Sequence, residues 1–446
     1  MQSSAQSSEQ SGKSEMDAVG NSKAPEFGPR MLQHFDFDPN FRNLNQGSFG
    51  ASPREIRKKM RHYQDLAEAM PDGFIRYELP KILDESRAAV AKLLNAPTDT
   101  VVFVPNATNA INVILQNMTW NEDGKDEILY FDTVYGACGK TIDHIVDKPL
   151  GRVSSREIDI TYPCEDDDVL SAFQAALDSC ASAGKRAKAC VFDTVSSLPG
   201  VRFPFEEMTE ACKAAGVLSI IDGAQGVGMI ELDLSGLDPD FFLSNCHKWL
   251  HVPRGCAVLY VPFRNQSMIT TTVPTSHGYV STSRVRFNPM PKGDKLAFVS
   301  KFEFVGTIDT SPYLCVKDAV KWRQEILGGE KGIIDYIQTL AKEGGKVTAA
   351  ILGTEVLNNK SGTLSNCAMT NVALPLETAE AVAAHNWMMR VMTPDYKTFI
   401  PLRMGDSRLW ARISAQVYLG MSDFEWAGHV LLDLCRRVRE GEHEKS

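Results

Sequence analysis

Several signatures of common protein classes are missing from the 446 residues of this sequence. No apolar run approaches the length that crosses a membrane, and the first residues lack the apolar core of a signal peptide. No run of Lys and Arg is long enough to form a basic patch, and the formal net charge is −9. We therefore expect a cytoplasmic protein that binds neither nucleic acid nor membranes.

The sequence also lacks the usual spacings of metal sites and disulfide frameworks. Its ten cysteines lie singly between Cys138 and Cys435, without a Cys-x-x-Cys pair, and its nine histidines include no His-Glu-x-x-His. Neither a zinc site nor a dense disulfide framework is indicated. Reduced thiols in the cytosol, and no bound metal, are the expectation.

Nucleotide and hydrolase motifs fail on their spacing. The glycines Gly223, Gly226 and Gly228 stand in the wrong order for G-x-G-x-x-G, and there is no P-loop. The stretch Gly47-Ser-Phe-Gly50 is one residue short of the hydrolase motif G-x-S-x-G. These failures disfavour both chemistries.

The remaining pattern indicates two domains, as the length of the chain suggests. Residues 1–29 are rich in Ser, Gln, Glu and Gly and are predicted to be disordered. Residues 30–60 form an N-terminal arm packing with the small domain, and residues 61–305 form a large α/β domain. Residues 306–446 are predicted to form a smaller α+β domain.

Short apolar strands alternate with helices through the large domain, which predicts a mostly parallel sheet. Ligands of such sheets gather at the carboxyl ends of the strands. That rule places five predicted strand ends on one edge: Asn106-Ala107-Thr108, Tyr135, Ser196-Ser197, Asp222 and Lys248.

Lys248 is the candidate reactive group. Taken alone, a lysine at a strand end more often extends its ammonium to water, although burial can make it a nucleophile. Asp222 ends another apolar strand 26 positions earlier, where a carboxylate needs a cation. Asn106-Ala107-Thr108 forms either an anion site at a helix start or only an N-cap. A lysine, a buried aspartate and a phosphate cradle are together what pyridoxal phosphate requires.

Longer motifs resemble a known family. Asn106-Ala-Thr108, Asp222-Gly-Ala-Gln225, Asn245-Cys-His-Lys248 and Gly306-Thr307 resemble the class V aminotransferases, which are fold-type I pyridoxal-phosphate enzymes. The stretches 44–50 and 412–418 are similar to the isopenicillin N epimerase-like branch. The runs 126–140, 201–205, 274–278 and 421–428 resemble the fungal hercynylcysteine sulfoxide lyases. The resemblance covers nearly everything after residue 30, and it implies a homodimer whose large domain carries a seven-stranded sheet.

The resemblance also implies roles for individual residues. It implies catalytic roles for Lys248, as covalent cofactor anchor and base, and for Tyr135, as acid or stacking residue. The implied cofactor-binding residues are Ala107, Thr108, Tyr135, Asp222, Gln225, Asn245, His247, Lys248 and, from the other subunit, Thr307. The implied substrate-binding residues are Asn45, Ser48 and Arg412. Gln46 departs from the pattern, since relatives usually have histidine there.

The implied activity is cleavage of a carbon–sulfur bond. Hercynylcysteine sulfoxide would give ergothioneine, through its sulfenic acid, with pyruvate and ammonia, as the last step of ergothioneine biosynthesis. An epimerase, or a β-lyase on another amino acid, would use the same core residues. A cysteine desulfurase is less favoured, because it needs a nucleophilic cysteine on a mobile loop and residues 372–413 contain none. Arg408 remains a rival of Arg412 for the substrate carboxylate, because the two lie four positions apart on one predicted strand.

Overall fold

The computed structural model describes residues 26–148, 152–291, 293–405 and 407–445. The predicted disorder of residues 1–29 therefore falls mostly outside the described residues. Within the described part, Phe27 packs its ring on Tyr336, with 4.8 Å between the ring centroids. The amide of Gly28 donates to the Val417 carbonyl at 2.8 Å. The chain thus contacts the small domain from Phe27 onward.

Two sheets organise the described residues. The strands are β1 (Val101–Val104), β2 (Asp126–Phe131), β3 (Val153–Ile158), β4 (Arg186–Asp193), β5 (Leu218–Asp222), β6 (Phe241–Asn245), β7 (Ala257–Tyr260), β8 (Met369–Ala373), β9 (Leu402–Met404) and β10 (Leu409–Ser414). The large sheet has seven strands in the order β1-β7-β6-β5-β4-β2-β3. Strands β2 to β6 are parallel, and β7 runs antiparallel to both neighbours. The predicted mostly parallel seven-stranded sheet is confirmed.

Helices cover both faces of this sheet. The α-helices are α1 (Gln46–Phe49), α2 (Arg54–Ala69), α3 (Pro71–Gly73), α4 (Leu79–Leu93), α5 (Ala107–Asn117), α6 (Gly136–Val146), α7 (Asp166–Ser182), α8 (Phe205–Ala215), α9 (Leu234–Leu237), α10 (Cys246–Trp249), α11 (Ala297–Glu303), α12 (Ser311–Ile326), α13 (Glu330–Leu352), α14 (Thr378–Tyr396) and α15 (Met421–Arg439). A π-helical turn spans Phe74–Glu78, and 3-10 turns span Pro29–His34, Thr98–Thr100, Phe263–Met268, Thr363–Ser365 and Glu442–Lys445.

The strands are apolar without interruption because each face meets a different core. Along β5, Ile220 lies in the core beneath α5 and α6, whereas Ile221 lies in the core of the opposite face. Successive side chains of a strand point to opposite faces. A sheet buried on both sides therefore needs apolar residues at adjacent positions, which is why these strands lack alternation.

The C-terminal part forms a smaller layer. Strands β8, β10 and β9 pair antiparallel in that order, α13 and α14 pack against them, and α15 packs on α13 and α14. Helix α12 instead packs on α2 and α4 of the large domain, although it lies beyond residue 306. No helix in the described ranges is long and apolar enough to span a membrane.

The N-terminal arm connects the small sheet to the large one. Arg42 forms a parallel bridge with Thr398, and the Ser414 amide donates to the Leu44 carbonyl at 2.8 Å. Helix α1 then packs on α10, the short helix that follows β6. The arm therefore ends at the carboxyl edge of the large sheet.

Candidate active site

The carboxyl edge of the large sheet gathers the predicted site. Strands β1, β4, β5 and β6 all run in the same direction, so their ends share one edge. Asp193 ends β4, Asp222 ends β5, and Asn245 ends β6. Lys248 follows in α10, and Ala107 opens α5 after β1. Residues that are far apart in sequence thus meet, as predicted from the alternation of strands and helices.

The Lys248 side chain is buried and makes no salt bridge to any residue that the structure describes. Burial lowers the pKa of this amine to about 8, while Asp222 and Asp193 oppose the shift and Arg412 adds to it. A buried ammonium without a full counter-charge is costly, so the neutral amine is a larger fraction of Lys248 near neutral pH than it is for an ordinary lysine. The side chain is buried and does not extend to water, which suits a nucleophile.

The backbone around Lys248 is held from two sides. The side-chain amide of Gln46, on the arm, donates to the Lys248 carbonyl, and Tyr418 donates to the Gln46 oxygen at 2.8 Å. From α12, the buried Arg323 donates to the Trp249 carbonyl at 2.8 Å. Gln46 thus has a structural role, because it anchors the peptide that carries Lys248.

Close approach of the arm requires glycine at position 50. Gly50 has φ of 64°, and a Cβ there would lie 1.7 Å from the His247 carbonyl oxygen. A larger residue would need both a left-handed backbone and a displaced α10. The position of the arm over the site thus depends on this glycine.

The Asp222 carboxylate is buried and receives two hydrogen bonds. The Ala224 amide donates to Oδ1 at 2.9 Å, and the Cys138 thiol donates to Oδ2 at 3.3 Å. Burial raises the pKa of Asp222, and the two donors and Lys248 oppose that shift. Gln225 lies nearby, but its amide groups contact the protein: Nε2 donates to the Gly47 carbonyl at 2.8 Å, and the Trp249 indole donates to Oε1 at 2.8 Å.

Asp193 belongs to the site and was missed by the sequence reasoning. It is the in-register partner of Asp222 across β4 and β5, and it is buried. Burial raises its pKa strongly, Asp222 adds to the shift, and Lys248 opposes it. The signal was present, because Asp193 ends an apolar strand as Asp222 does. A second carboxylate beside the first was not considered.

The start of α5 forms a positively polarised end that fits a phosphate. Asn106 caps the helix, accepting from the Asn109 amide at 2.8 Å, and the Asn245 Oδ1 accepts from the Ala107 amide at 3.0 Å. The Thr108 amide, at the second helical position, has no intrahelical acceptor. Asn106 is therefore an N-cap, as one of the two readings had it, and the anion site at this helix end stays a prediction that the polarised helix start suits.

His247 lies in α10, two residues after Asn245, which contacts this helix end. Its Nδ1 donates to the Cys256 carbonyl at 3.1 Å, so the other ring nitrogen, Nε2, points away from that carbonyl. Burial lowers the pKa of His247 to about 4, with Lys248 and Arg254 contributing. A phosphate dianion within contact of Nε2 would raise that pKa again, because an adjacent anion favours the imidazolium.

Arg412, on β10, is a buried guanidinium without a carboxylate. Its amino groups donate to the Ser197 carbonyl at 2.6 Å, to Asn45 Oδ1 at 2.5 Å and to Ser48 Oγ at 3.1 Å. Its Nε is buried without a hydrogen-bond partner, and no acidic residue in the described ranges forms an ion pair with it. Burial lowers the pKa of Arg412 to about 10. This arrangement calls for an anionic ligand.

Arg408, the rival of Arg412, lies just before β10, is exposed and forms a salt bridge with Glu355. Its guanidinium is already paired with a carboxylate at the surface, whereas that of Arg412 is buried without one, so the structure favours Arg412 for an anionic ligand. Asn45, Ser48 and Arg412, which were predicted as substrate contacts, do lie together.

Tyr135 and Thr307 are the exposed members of the predicted site. Tyr135 caps α6, one helical turn before Cys138, and about half of it is exposed. Thr307 is also exposed, in a small cavity beside Gln64 and Ile75 whose described lining contains no other predicted site residue. The structure does not bring Thr307 to the site of its own chain.

The residues fit pyridoxal phosphate. Lys248 is an unpaired amine for the aldehyde, Asp222 a buried carboxylate for the ring nitrogen, and the α5 end a phosphate cradle. Arg412 faces the same site with a free donor. Fold and site together define a pyridoxal-phosphate-dependent enzyme of fold type I.

Comparison with known proteins identifies the family. The chain belongs to the class-V aminotransferase family, whose profile, described as "Aminotransferase class-V", matches residues 51–383. A protein of Epichloe uncinata named "L-cysteine desulfhydrase-like protein lolT1" is 36% identical, over 94% of this chain and 98% of its own. The "Hercynylcysteine sulfoxide lyase" of Schizosaccharomyces pombe is 32% identical, over 92% of this chain and 98% of its own.

Solved structures share the fold at low sequence identity. A complex of the cystine C–S lyase C-DES with cysteine persulfide has a TM-score of 0.71 at 17% identity, covering 89% of this chain and 98% of that one. A cysteine desulfurase from Thermococcus onnurineus has a TM-score of 0.68 at 16% identity, covering 92% and 98% of the two chains. At this identity the likeness establishes the fold.

The lowered pKa of Lys248 predicts how the apoenzyme captures the cofactor. Only the neutral amine attacks an aldehyde, so the second-order rate constant should rise about tenfold per pH unit below pH 8. It should level off above about pH 8, whereas a lysine with the ordinary pKa of 10.5 would continue to rise. Stopped-flow absorbance measures this profile, with Nα-acetyl-lysine as the control. A rise that continues to pH 10 would contradict the buried, unpaired state of the amine.

Proposed function

We propose that the protein is a carbon–sulfur β-lyase that acts on a cysteine S-conjugate, and that its substrate is hercynylcysteine sulfoxide. The observation that carries the proposal is Arg412, a buried guanidinium without a carboxylate partner among the described residues, held by Asn45 and Ser48 and close enough to Lys248 to act on its pKa. A guanidinium with a free Nε suits the α-carboxylate of an amino acid.

The relatives support sulfur chemistry. Proteins named as L-cysteine desulfhydrase-like and as a hercynylcysteine sulfoxide lyase align over nearly the whole chain. Four runs of the sequence, 126–140, 201–205, 274–278 and 421–428, also resemble the fungal sulfoxide lyases. Apart from Tyr135, these runs lie outside the cofactor-binding residues implied by the family, so they favour the more specific substrate.

Each residue of the site has a separate role in the proposed reaction. Arg412 holds the carboxylate and orients the substrate, and Asp222 keeps the cofactor ring nitrogen protonated. Lys248 removes the α-proton, and pyridoxal phosphate, when bound, supplies the electron withdrawal that makes this proton acidic. Loss of the β-carbon–sulfur bond releases the sulfenic acid of the thiolated imidazole. Water converts the remaining three-carbon unit to pyruvate and ammonia, and a thiol reduces the sulfenic acid to ergothioneine.

Tyr135 is our candidate for protonating the departing sulfur. It caps α6, three residues before Cys138, whose thiol contacts Asp222, and it is half exposed, so its hydroxyl is accessible to an incoming substrate. We expect Tyr135→Phe to retain cofactor and to lower kcat about 10²-fold, since general acid catalysis contributes about that much or more. Single-turnover rates with the cofactor absorbance as a loading check measure this. An unchanged rate would leave Tyr135 as a stacking residue only.

The second candidate is desulfhydration of L-cysteine, favoured by the name of the 36% identical relative. Transfer of sulfur to a cysteine of the protein is disfavoured, because all ten cysteines, each within the described ranges, are buried. Cys367, which lies near Arg412, has its pKa raised to about 11 by burial. An epimerase would use the same lysine to remove the α-proton, and it would leave the carbon–sulfur bond intact.

A direct substrate comparison tests the proposal. The holoenzyme is incubated in parallel with hercynylcysteine sulfoxide plus a thiol reductant, with L-cysteine and with cystine. Ergothioneine, pyruvate and ammonia should form in equal amounts from the sulfoxide, with kcat/KM at least about tenfold above that for L-cysteine. Sulfide and pyruvate from L-cysteine, without ergothioneine, would assign the desulfhydrase activity instead. Racemised amino acid without pyruvate would assign an epimerase.

We also propose that the active form is a homodimer in which Thr307 contacts the cofactor phosphate of the other subunit. The exposure of Thr307, away from the site of its own chain, supports this arrangement. Sedimentation of the purified holoenzyme should give twice the 49.3 kDa mass of the chain. An active monomer would contradict the proposal.

A further inference from the structure

Asp222 has two buried neighbours that neither hold the cofactor nor touch the substrate in the proposed function. Cys138, on α6, donates its thiol hydrogen to Asp222 Oδ2 at 3.3 Å. Asp193 ends β4 and is the in-register partner of Asp222 on β5. The three side chains come from three different elements and meet at one point of the sheet edge.

The environment is unequal for the two carboxylates. Asp222 receives hydrogen bonds from the Ala224 amide and from Cys138, both of which favour its anion. No described residue donates a hydrogen bond to the Asp193 carboxylate. Two carboxylates side by side in a buried site ionise together only at high cost. The positive charge of Lys248 acts on both carboxylates. Arg412, the other cation near Lys248, instead donates its hydrogen bonds to Asn45, Ser48 and Ser197.

We propose that Cys138 and Asp193 are positioning residues that keep the negative charge on Asp222. The thiol does so by donating to the Asp222 anion, and Asp193 does so by remaining a neutral acid. An ionised Asp222 is what holds a proton on the ring nitrogen of the cofactor, so the two residues act on the reaction through Asp222. The proposal depends on the cofactor and not on the identity of the sulfur substrate, so the two proposals fail separately.

The first test replaces the thiol. In the holoenzyme of Cys138→Ala, the Asp222 carboxylate loses the hydrogen bond from the thiol. The proton between Asp222 and the ring nitrogen of the cofactor then lies more on Asp222. The ring then carries less positive charge, so the proton on the linkage between Lys248 and the cofactor is less repelled. The pH at which the yellow absorbance of the holoenzyme titrates should therefore rise by about one unit, a tenfold change in the proton equilibrium.

Two further variants separate this effect from loss of packing. Cys138→Ser keeps a donor and should restore the wild-type titration. Cys190→Ala removes another buried thiol, one on β4 that lies beside Cys212 rather than Asp222, and should leave the titration unchanged. A Cys138→Ala titration that coincides with wild type, or a serine variant that behaves as the alanine one does, overturns the role of the thiol.

The second test concerns the protonation of Asp193. Asp193→Asn replaces a neutral acid by a neutral amide of the same shape, so its cofactor titration should coincide with that of wild type. The infrared spectrum of the wild-type holoenzyme should contain the carbonyl stretch of a neutral carboxylic acid that Asp193→Asn lacks. If Asp193 is ionised, the asparagine variant removes a negative charge near the linkage. Its titration would then move to lower pH by about one unit or more, which overturns the proposal.

Discussion

Lys248→Ala is expected to lower the rate of carbon–sulfur cleavage by at least about 10⁴-fold, the largest effect of any substitution in this chain. The variant removes both the amine that binds the cofactor covalently and the base at the α-carbon, and proton transfer alone contributes up to about that factor. Asp222 and the start of α5 remain, so the cofactor should still bind, without a covalent link. Pyruvate formation and cofactor release on denaturation measure the two effects.

Lys248→Arg is the matched control. Arginine keeps a positive charge beside Asp222 and Asp193 but does not form the covalent link, since its guanidinium stays protonated. If Lys248 served only to balance the two buried carboxylates, the arginine variant would restore activity. We expect it to be as inactive as the alanine variant. Borohydride reduction of the wild-type holoenzyme should label Lys248, and labelling of another lysine would refute the assignment.

Arg412→Met has the second largest expected effect, and its two parts have opposite signs. Loss of the buried guanidinium should lower kcat/KM by about 10²- to 10³-fold, because removing one partner of a buried charge pair costs about 2–5 kcal/mol. The ligand-free protein should become more stable, on the order of 1 kcal/mol or more, because a buried charge without a counter-ion is replaced by an apolar side chain. Activity assays and thermal unfolding measure the two changes.

Arg408→Met provides the control for Arg412. Arg408 is exposed and forms a salt bridge with Glu355, so its loss should change unfolding free energy and activity little, by under about 1 kcal/mol. Arg412→Lys should recover part of the affinity but not the paired contact, since lysine lacks the planar fork. If Arg412→Met lowered both stability and activity, the guanidinium would be a structural residue and the carboxylate assignment would fall.

The fold could be predicted because its signals are local. Strands such as β5 and β6 are short apolar runs buried on both faces, and such runs are visible without knowing their partners. The sequence does not predict β3, because four of its six residues, Ser154, Ser155, Arg156 and Glu157, are polar. This strand lies at the edge of the sheet, where one side has no partner strand and solvent is accessible.

By itself, the sequence determined the family, the cofactor and the positions of Lys248, Asp222 and Arg412, because these follow from motifs and strand ends within short stretches. Only the tertiary structure distinguished Arg408 from Arg412, because Arg408 is exposed and paired with Glu355 whereas Arg412 is buried without a carboxylate. It also revealed Asp193 and Cys138 beside Asp222, and Gln46 on the Lys248 carbonyl. The reason is physical: Arg412 and Asn45 touch across 367 positions of chain. Burial and hydrogen bonding between such distant segments set the protonation states, and no local pattern contains them.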